Sequence, residues 1–301
     1  MKTQYTGRFA PSPTGELHFG SLVAAVASYA DAKHHSGRWL LRIDDVDQPR
    51  KADGSSESII ATLKAFGFEW DGPTRWQSQR ELKYQEAITS LRERGLAYPC
   101  RCSRRRIEKT AQAGAEGMIY PGTCRGWDGT GAKQASIRMR TTSTQTSVPD
   151  RIVDRISQNL EEDIGDFVIF RADGVAAYQL AVVVDDFLDN ITHVVRGADL
   201  ELSTPRQVNL QRQLGYPTPQ YAHIPLVRDH KGEKISKSDG AYPVDATRPL
   251  AALHAAWQFL RQRPLTESIA DVNDFWGAAA PTWCIDTLRG AAADGAGVND
   301  S

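Results

Sequence analysis

No apolar run in this 301-residue sequence approaches the ~18 residues that a membrane-spanning helix requires. The N-terminal residues do not form a charged leader followed by an apolar segment, as a secretory signal would. Cysteine is scarce as well. The four cysteines, Cys100, Cys102, Cys124 and Cys284, are too few and too unevenly placed for a disulfide framework. We therefore expect a cytoplasmic protein that does not associate with a membrane.

The sequence also lacks an excess of charge of either sign, because 36 Lys and Arg residues face 37 Asp and Glu residues and the net charge is −1. Any contact with nucleic acid must therefore come from a local basic patch. One candidate patch contains Arg101, Arg104, Arg105, Arg106 and Lys109. A solvated helix start would show the same pattern, so both interpretations remain open. No Gly-x-x-x-x-Gly-Lys-Ser/Thr segment occurs, which argues against a P-loop nucleotide site.

Strand and helix patterns alternate over residues 1–98. Residues 39–43 are typical of a short buried strand, and apolar residues at helical spacing predict the helices that flank it. The predicted helices cover residues 21–33, 55–66 and 80–94. Ser55 or Ser56 is the predicted N-cap of the second helix. The alternation predicts an α/β fold in which a Rossmann-like parallel sheet forms the first half of a catalytic domain.

The alternation stops at residue 99 and resumes at residue 176. Residues 99–175 are rich in Gly, Thr, Ser and Arg and are predicted to be an insertion into the catalytic domain. Residues 176–230 form its predicted second half, in which Thr204 is the N-cap of a helix with proline at its first position. Residues 231–289 contain a lysine loop and a helical C-terminal region. The Gly/Ala/Asp-rich residues 290–301 are predicted to be disordered.

Two short segments, far apart in the sequence, carry patterns typical of a nucleotide site. Residues 8–21 (RFAPSPTGELHFGS) indicate a strand, a loop broken by proline and glycine, and the start of a helix. Residues 234–238 (KISKS) form a polar loop with two lysines around a serine. Free N–H groups at a helix start favour phosphate binding. We therefore expect the two segments to converge on one nucleotide.

The residues of these segments have distinct expected roles at an ATP site. His18 can donate a hydrogen bond to a phosphate, and Gly20 lets the nucleotide approach the backbone closely. Lys237 can close over the triphosphate as charge develops in the transition state, with Lys234 and Ser236 as helpers. Taken singly, each segment could be an ordinary turn or a solvated loop. Their joint occurrence, in this order, favours the nucleotide site.

The two segments resemble the HIGH and KMSKS signatures of class I aminoacyl-tRNA synthetases, and the first resembles the glutamate-specific members of that class. The resemblance implies that ATP, with Mg²⁺, activates glutamate, and that His18 and Lys237 are catalytic. Three residues depart from the usual signatures. Phe19 replaces an aliphatic residue, Ser21 stands where a second histidine often occurs, and Ile235 replaces methionine.

A glutamate substrate carries two carboxylates and an ammonium group, so its site requires at least one arginine and one acid. The candidates lie at predicted strand ends or helix starts, where open α/β sheets bind ligands. These candidates are Arg8, Asp44, Tyr178 and Arg196. Any one of them could equally be a surface ion-pair partner.

The resemblance assigns these candidates to a glutamate pocket. It implies that the segment Arg8, Phe9, Ala10, Pro11 and Ser12 grips the substrate. Asp44 would bind the α-ammonium, although the family has the longer Glu at this position. Tyr178 completes the pocket, and Arg196 would clamp the side-chain carboxylate.

Three of the cysteines lie within the predicted insertion. Cys100, Cys102 and Cys124 could supply three ligands of a tetrahedral zinc ion, and no histidine lies between them to act as the fourth. From the residues alone, that ligand could be a phenol, a carboxylate or water, and three buried thiols without metal are the alternative. A related synthetase family, which this chain resembles closely, holds zinc with a Cys-x-Cys…Tyr-x-x-x-Cys set. This resemblance implies one structural zinc with Tyr120 as the fourth ligand. Cys284 is predicted to be a small buried residue.

The resemblance covers residues 5–245, whereas full glutamyl-tRNA synthetases continue into a large anticodon-binding portion. Such a truncated pattern resembles the glutamyl-Q tRNA(Asp) synthetase family. That family activates L-glutamate without tRNA and transfers it to queuosine in the anticodon of tRNA(Asp). The alternatives are a conventional glutamyl-tRNA synthetase, an adenylyltransferase with a small acceptor and a non-catalytic RNA-binding paralogue. A monomer is the default expectation for the oligomeric state.

Overall fold

A computed structural model of the protein describes residues 4–47, 51–114, 116–131, 134–228, 243–265 and 268–290. The strands are β1 (Thr6–Phe9), β2 (Arg38–Ile43), β3 (Arg75–Trp76), β4 (Ala97–Cys100), β5 (Gln112–Gly114), β6 (Gly117–Ile119), β7 (Ser136–Met139), β8 (Gln145–Asp150), β9 (Asp154–Asn159), β10 (Val168–Phe170), β11 (His193–Gly197) and β12 (Gln220–Ile224). The α-helices are α1 (Phe19–His34), α2 (Ser55–Ala65), α3 (Glu81–Glu93), α4 (Arg104–Thr110), α5 (Leu160–Asp163), α6 (Tyr178–Leu188), α7 (Thr204–Leu214), α8 (Pro249–Phe259) and α9 (Val272–Thr282).

Two groups of parallel strands confirm the predicted α/β fold. β1, β2 and β3 pair in parallel in that order, and β11 pairs in parallel with β12. β1 lies beside β11, where the backbone N–H of Thr192 donates to the Thr6 carbonyl oxygen at 2.9 Å. Strand β2 is buried from Trp39 to Ile43 because helices cover the sheet, as its apolar sequence predicts.

The predicted helices form, but two of their predicted caps are wrong. Helix α2 has Gly54, in a left-handed conformation with φ of 73°, as its N-cap, and no side chain caps it. Helix α7 is preceded by Ser203 and has no side-chain cap either. The hydroxyl of Thr204, the predicted cap, contacts Arg196 instead. A tertiary contact has therefore replaced the local one that the sequence favoured.

Residues 99–175 contribute to two different sheets. β4, β7 and β10 form an antiparallel sheet, and β5 and β6 form a small hairpin. The hairpin of β8 and β9 instead extends the parallel sheet, since Asp150 of β8 pairs with Tyr221 of β12. The predicted insertion thus shares a sheet with β11 and β12, and this contact brings Asp150 towards the site described below.

The C-terminal helices pack against the first part of the chain. α8 and α9 both contact α1, and the indole N–H groups of Trp283 and Trp276 donate to Asp31 Oδ1 at 3.0 Å and to the Phe66 carbonyl at 2.9 Å. Cys284 is exposed, so its predicted burial is wrong. The predicted tail lies outside the described residues, apart from residue 290. No helix among the described residues is long and apolar enough to cross a membrane.

Candidate active site

A cavity of about 830 Å³ opens where β1, β11 and β12 end and α1 begins. Ligands bind at this edge of open α/β sheets because strand ends and helix starts converge there. Most of the predicted site residues line this one cavity. They are Arg8, Phe9, Ala10, Pro11, Ser12, His18, Gly20, Asp44, Tyr178 and Arg196. The cavity volume falls within the range of ligand sites.

His18 lies at the N-terminus of α1 and caps it. Its Nδ1 accepts the backbone N–H of Ser21 at 3.3 Å, and its Nε2 lies 3.0 Å from the Ser21 hydroxyl. This bonding pattern requires an unprotonated Nδ1 and leaves the proton on Nε2. Ser21, which stands where the family often has a second histidine, therefore orients the first one. The Nε2–H faces the Ser21 hydroxyl, and the ring lies beside the positive end of the helix dipole.

The predicted lysine loop lies outside the described residues, which stop at 228 and resume at 243. Lys234, Ser236 and Lys237 belong to that interval. The chain resumes beside the start of α1, where Pro243 forms a β-bridge with His18. The N–H of Val244 donates to the Leu17 carbonyl at 2.9 Å. The residues that follow the lysine loop are thus adjacent to His18.

One end of the cavity is rich in paired acids. Arg8 donates to both carboxylate oxygens of Asp186, at 3.3 and 3.4 Å. Arg42 donates to Asp186 Oδ1 at 2.6 Å and to the two oxygens of Asp44 at 2.6 and 3.3 Å. All four side chains are buried. Each arginine at this end therefore has a carboxylate partner.

Burial and charge move the pKa values of these acids in different directions. Burial raises the pKa of Asp44 to about 6, although the charge of Arg42 opposes the shift. Burial would also raise the pKa of Asp186, but the charges of Arg8 and Arg42 lower it. Asp186 is therefore ionised over a wider pH range, whereas Asp44 becomes protonated at a higher pH.

Further buried polar groups contact the acid-rich end of the cavity through Asp185. Asp185 accepts hydrogen bonds from Gln77 Nε2 at 2.8 Å, from the Tyr84 hydroxyl at 3.0 Å and from Arg80 Nη1 at 3.0 Å. Asp185 Oδ2 also lies 3.6 Å from Arg42 Nε. The acid-rich end is thus part of a continuous network that crosses from β2 to α3 and α6.

The other end of the cavity, on the side of β11 and β12, is built around Arg196 at the end of β11. Its Nη1 donates to Gln207 Oε1 at 2.8 Å, and its Nη2 donates to Thr204 Oγ1 at 2.8 Å and to the Leu200 carbonyl at 3.3 Å. Its Nε lies 3.0 Å from His223 Nε2. The guanidinium carbon also lies 5.2 Å from the Tyr221 ring centroid. Within the part of the chain that the structure describes, no carboxylate pairs with this buried arginine.

His223 joins Arg196 to an acid outside the cavity. Its Nδ1 lies 2.7 Å from Asp150 Oδ2, and both side chains are fully buried. Burial lowers the pKa of His223, which favours the neutral ring. Burial opposes ionisation of Asp150, but the hydrogen bond from His223 lowers its pKa. The imidazole ring of His223 therefore separates the negative charge of Asp150 from the guanidinium of Arg196.

The thiol cluster forms a separate site at the end of β4. The thiol sulfurs of Cys100, Cys102 and Cys124 all lie within 4.8 Å of one another. The Tyr120 hydroxyl lies 3.3 Å from Cys100 Sγ and 3.7 Å from Cys102 Sγ, and it accepts the Cys124 N–H at 3.0 Å. Gly165 allows this approach, because a Cβ there would lie 2.3 Å from the Tyr120 carbonyl oxygen. The three predicted thiols and the predicted phenol are thus grouped together.

Charged groups surround the thiol cluster. Arg138 Nε donates to Cys100 Sγ at 3.2 Å, and its guanidinium lies 3.8 Å from the Tyr120 ring centroid. Burial opposes thiolate formation, yet the hydrogen bonds from Tyr120 and Arg138 lower the pKa of Cys100 to about 7. On α4, which lies between Cys102 and Cys124 in the chain, Arg104, Arg105, Arg106 and Lys109 are all exposed. The candidate basic patch is therefore solvent-accessible.

Several residues at this site were absent from the sequence hypothesis. Arg42, which lines the cavity, and Asp186, which pairs with it, were missed because their roles depend on pairing between strands and a helix that are distant in the sequence. Asp199, Leu226 and Val227 also line the cavity. Their position just after the carboxyl ends of β11 and β12 is a signal that could have found them.

Comparisons with known proteins agree on one family. A family model described as tRNA synthetases class I (E and Q), catalytic domain, matches residues 4–262. A glutamyl-Q tRNA(Asp) synthetase of Dechloromonas aromatica (strain RCB) is 49% identical to this chain, over 96% of this chain and 97% of its own length. One from Neisseria gonorrhoeae (strain ATCC 700825 / FA 1090) is 48% identical, over 94% and 97% respectively.

Solved structures support the fold. The structure of glutamate-tRNA synthetase from Elizabethkingia anophelis superposes with a TM-score of 0.77 at 24% sequence identity. The match covers 95% of this chain and 67% of that one. This likeness supports a class I synthetase-like α/β fold.

Proposed function

The chain belongs to the glutamyl-Q tRNA(Asp) synthetases, within the class I tRNA synthetases of the E and Q type, and on this premise we propose that it is an ATP-dependent glutamyl ligase. It activates L-glutamate to glutamyl-adenylate and transfers the glutamyl group to queuosine in the anticodon of tRNA(Asp). The observation that carries the proposal is the cavity with paired acids at one end and Arg196 at the other. Such a cavity matches the ammonium and the side-chain carboxylate of glutamate.

In the first step, the α-carboxylate of glutamate attacks the α-phosphate of ATP, and pyrophosphate leaves. The protein has little covalent work to do in this reaction, so positioning and positive charge supply most of the acceleration. His18 and the start of α1 near Gly20 are assigned to the phosphates. The adjacency of Pro243 to His18 supports the assignment of Lys234, Ser236 and Lys237 to the same nucleotide. Mg²⁺ bound with ATP would neutralise charge on the leaving pyrophosphate.

The glutamate is assigned to the remainder of the cavity. Asp44 lies at the acid-rich end and is proposed to take the α-ammonium. The backbone from Phe9 to Ser12, with Arg8 and Tyr178, encloses the substrate. Arg196 is proposed to bind the side-chain carboxylate, because its charge has no carboxylate partner among the described residues.

In the second step, a hydroxyl of the queuosine cyclopentenediol attacks the carbonyl carbon of the adenylate. AMP leaves, an ester bond forms, and the hydroxyl loses its proton. The diol offers vicinal hydroxyls, as a terminal ribose does, so one catalytic geometry can serve this acceptor. The exposed basic residues of α4 support the assignment of the insertion, residues 99–175, to RNA contact.

Cys100, Cys102, Cys124 and Tyr120 fit a structural zinc ion. Tetrahedral zinc with bonds of about 2.3 Å to sulfur requires sulfur–sulfur distances of about 3.8 Å. Cys102 Sγ and Cys124 Sγ lie 3.6 Å apart. When bound, zinc would hold β4 and the following loops in place. Because the cluster lies outside the cavity, we assign it no step of the reaction.

The catalytic domain would comprise residues 1–98 and 176–230, and residues 231–289 would carry the lysine loop and the C-terminal helices. The protein would act in the cytoplasm, as a monomer.

Pyrophosphate exchange and RNA charging test the proposed function. We expect exchange that depends on glutamate and does not require tRNA. Lys237→Ala should abolish this exchange while glutamate binding persists. We also expect the enzyme to glutamylate tRNA(Asp) that contains queuosine, but not tRNA(Asp) that lacks it. Charging of the 3′ end of a tRNA would identify a conventional synthetase, and absence of all exchange would identify a non-catalytic paralogue.

A further inference from the structure

Asp150 and His223 form a buried pair that contacts Arg196 from outside the cavity, and neither residue lines the cavity. We propose that this pair sets the tautomer of His223 and thereby positions Arg196 to select glutamate over glutamine. The inference rests on the proposed function, because it refines the role given there to Arg196. Asp150 and His223 would be positioning residues that act through Arg196.

The two oxygens of Asp150 have separate tasks. Oδ1 accepts the backbone N–H groups of Ile152 at 2.8 Å and Val153 at 3.0 Å. Oδ2 faces His223 Nδ1 at 2.7 Å. The bonds to Oδ1 fix the orientation of the carboxylate in the turn after β8. Oδ2 is consequently held as an acceptor against the imidazole ring.

A fixed acceptor at Nδ1 determines where the ring proton lies. His223 Nδ1 must carry the proton, because a carboxylate oxygen cannot donate one to it in its ionised state. In the neutral ring, Nε2 is then an acceptor, and it receives Arg196 Nε–H at 3.0 Å. The other tautomer would place two N–H groups against each other. Asp150 therefore selects the tautomer in which Nε2 can accept from Arg196, while the Thr204 hydroxyl lies 3.1 Å from the same nitrogen.

This arrangement holds the guanidinium without cancelling its charge. The partners of Arg196 are an imidazole nitrogen, an amide oxygen, a hydroxyl and a backbone carbonyl. A carboxylate in direct contact would compete with the side-chain carboxylate of glutamate. The intervening imidazole keeps the charge of Asp150 at a distance while its geometric restraint is transmitted. A neutral amide of glutamine would gain much less from the same guanidinium.

The substitution Asp150→Asn tests this inference with little change in shape. The amide oxygen must stay at the Oδ1 position, because the N–H groups of Ile152 and Val153 require an acceptor. The amide NH₂ then faces His223 Nδ1 and moves the ring proton to Nε2, against Arg196. We expect the KM for glutamate in pyrophosphate exchange to rise by about tenfold or more, with kcat nearly unchanged. The KM for glutamine should change little, so the selectivity for glutamate falls.

Asp31→Asn is the matched control. Asp31 is also buried and accepts hydrogen bonds from Tyr5, Arg151 and Trp283, but it does not line the cavity. This variant should lose stability and keep the wild-type selectivity. Nitrogen-15 NMR of the histidine rings gives a second readout that does not depend on a variant. It should show protonated Nδ1 and unprotonated Nε2 for His223 in the wild-type protein.

Three results would overturn the inference. An active wild-type enzyme whose selectivity survives Asp150→Asn would refute it, as would a wild-type His223 protonated at Nε2. Equal loss of selectivity in Asp31→Asn would show that general destabilisation explains the effect. A wild-type protein without glutamate-dependent exchange would instead reject the proposed function and, with it, the role of Arg196.

Discussion

The two ends of the cavity hold their arginines in opposite ways. At the end of β1, Arg8 and Arg42 share Asp186, and Arg42 also pairs with Asp44. At the end of β11, Arg196 contacts only neutral acceptors among the described residues. The first end is a balanced ionic network, whereas the second holds a buried guanidinium that no carboxylate contacts among the described residues.

From this difference we infer that the ion pairs at the first end support the structure more than the contacts at the second, and that Arg196 is available to a carboxylate ligand. A buried ion pair offsets its own desolvation cost, and losing one partner leaves an uncompensated charge. A buried arginine with only neutral partners keeps an uncompensated desolvation cost. A bound carboxylate can offset this cost. The difference therefore predicts large structural effects from mutations at the first end and large substrate effects from mutations at the second.

The largest effect is expected at Arg196. Arg196→Met should lower kcat/KM for glutamate in pyrophosphate exchange by about a thousandfold, because losing one partner of a buried charge pair costs roughly 2–5 kcal/mol. Activity with glutamine should fall much less. Arg206→Met is the control, since Arg206 pairs with Glu116 outside the cavity. Equal losses with glutamate and glutamine would mean that Arg196 does not bind the side-chain carboxylate.

The next effect is on stability. Asp186→Asn should lower the free energy of unfolding by about 3 kcal/mol, because Arg8 and Arg42 would lose their shared anion in a buried site. Urea denaturation measures the change. The exposed pair of Asp173 with Arg171 provides the comparison, and Asp173→Asn should cost about 0.5 kcal/mol or less. Similar costs for the two variants would show that the network at the first end is not structurally important.

A smaller effect should follow when the second end is made to resemble the first. Gln207→Glu places a carboxylate beside Arg196 Nη1, where an amide oxygen now accepts at 2.8 Å. The KM for glutamate should rise about tenfold, since the new anion competes with the substrate. Gln179→Glu is the control, because Gln179 contacts Gln207 but not Arg196. An unchanged KM in Gln207→Glu would contradict the role given to neutral partners.

The smallest effect concerns pH, where the two ends should respond with opposite sign. The pKa of Asp44 is raised to about 6 from 3.8, so the folded protein binds its proton first and this group adds stability as the pH falls through 6. The pKa of His223 is lowered from 6.5, so the unfolded protein binds its proton first and stability is lost below pH 6.5.

Unfolding measured at pH 7 and pH 5.5 should separate these contributions. The loss of stability on acidification should be steeper in Asp44→Asn and shallower in His223→Gln, by about 1 kcal/mol or less in each case. The wild-type protein is the reference at both pH values. Parallel slopes in all three proteins would show that neither group titrates differently in the folded state.

Local patterns predicted much of this molecule. The alternation of strands and helices, the short buried strand at Trp39 and the helix that begins near His18 are all present. Proline, glycine and helical spacing suffice for such elements because they act over a few residues. The candidates at strand ends also line one cavity, because parallel strands end at the same edge.

Three of the failures share a physical cause. Thr204 was predicted as a helix cap, but it contacts Arg196, and Asp150 lay in a predicted insertion, yet it joins the catalytic sheet. No local sequence pattern marks Asp186 as a site residue, since its role depends on two arginines that lie far away in the sequence. A contact outside the local element decided each of these three cases. Spacing along the chain carries no information about such contacts.

A crystal structure with glutamate bound would test the account most directly. The measured quantity is the distance from the side-chain carboxylate of the ligand to the guanidinium of Arg196. We expect a hydrogen bond of about 2.8 Å, with the ammonium of glutamate towards Asp44 and the acid-rich end. A ligand in the reverse orientation, or a carboxylate that does not touch Arg196, would contradict the account.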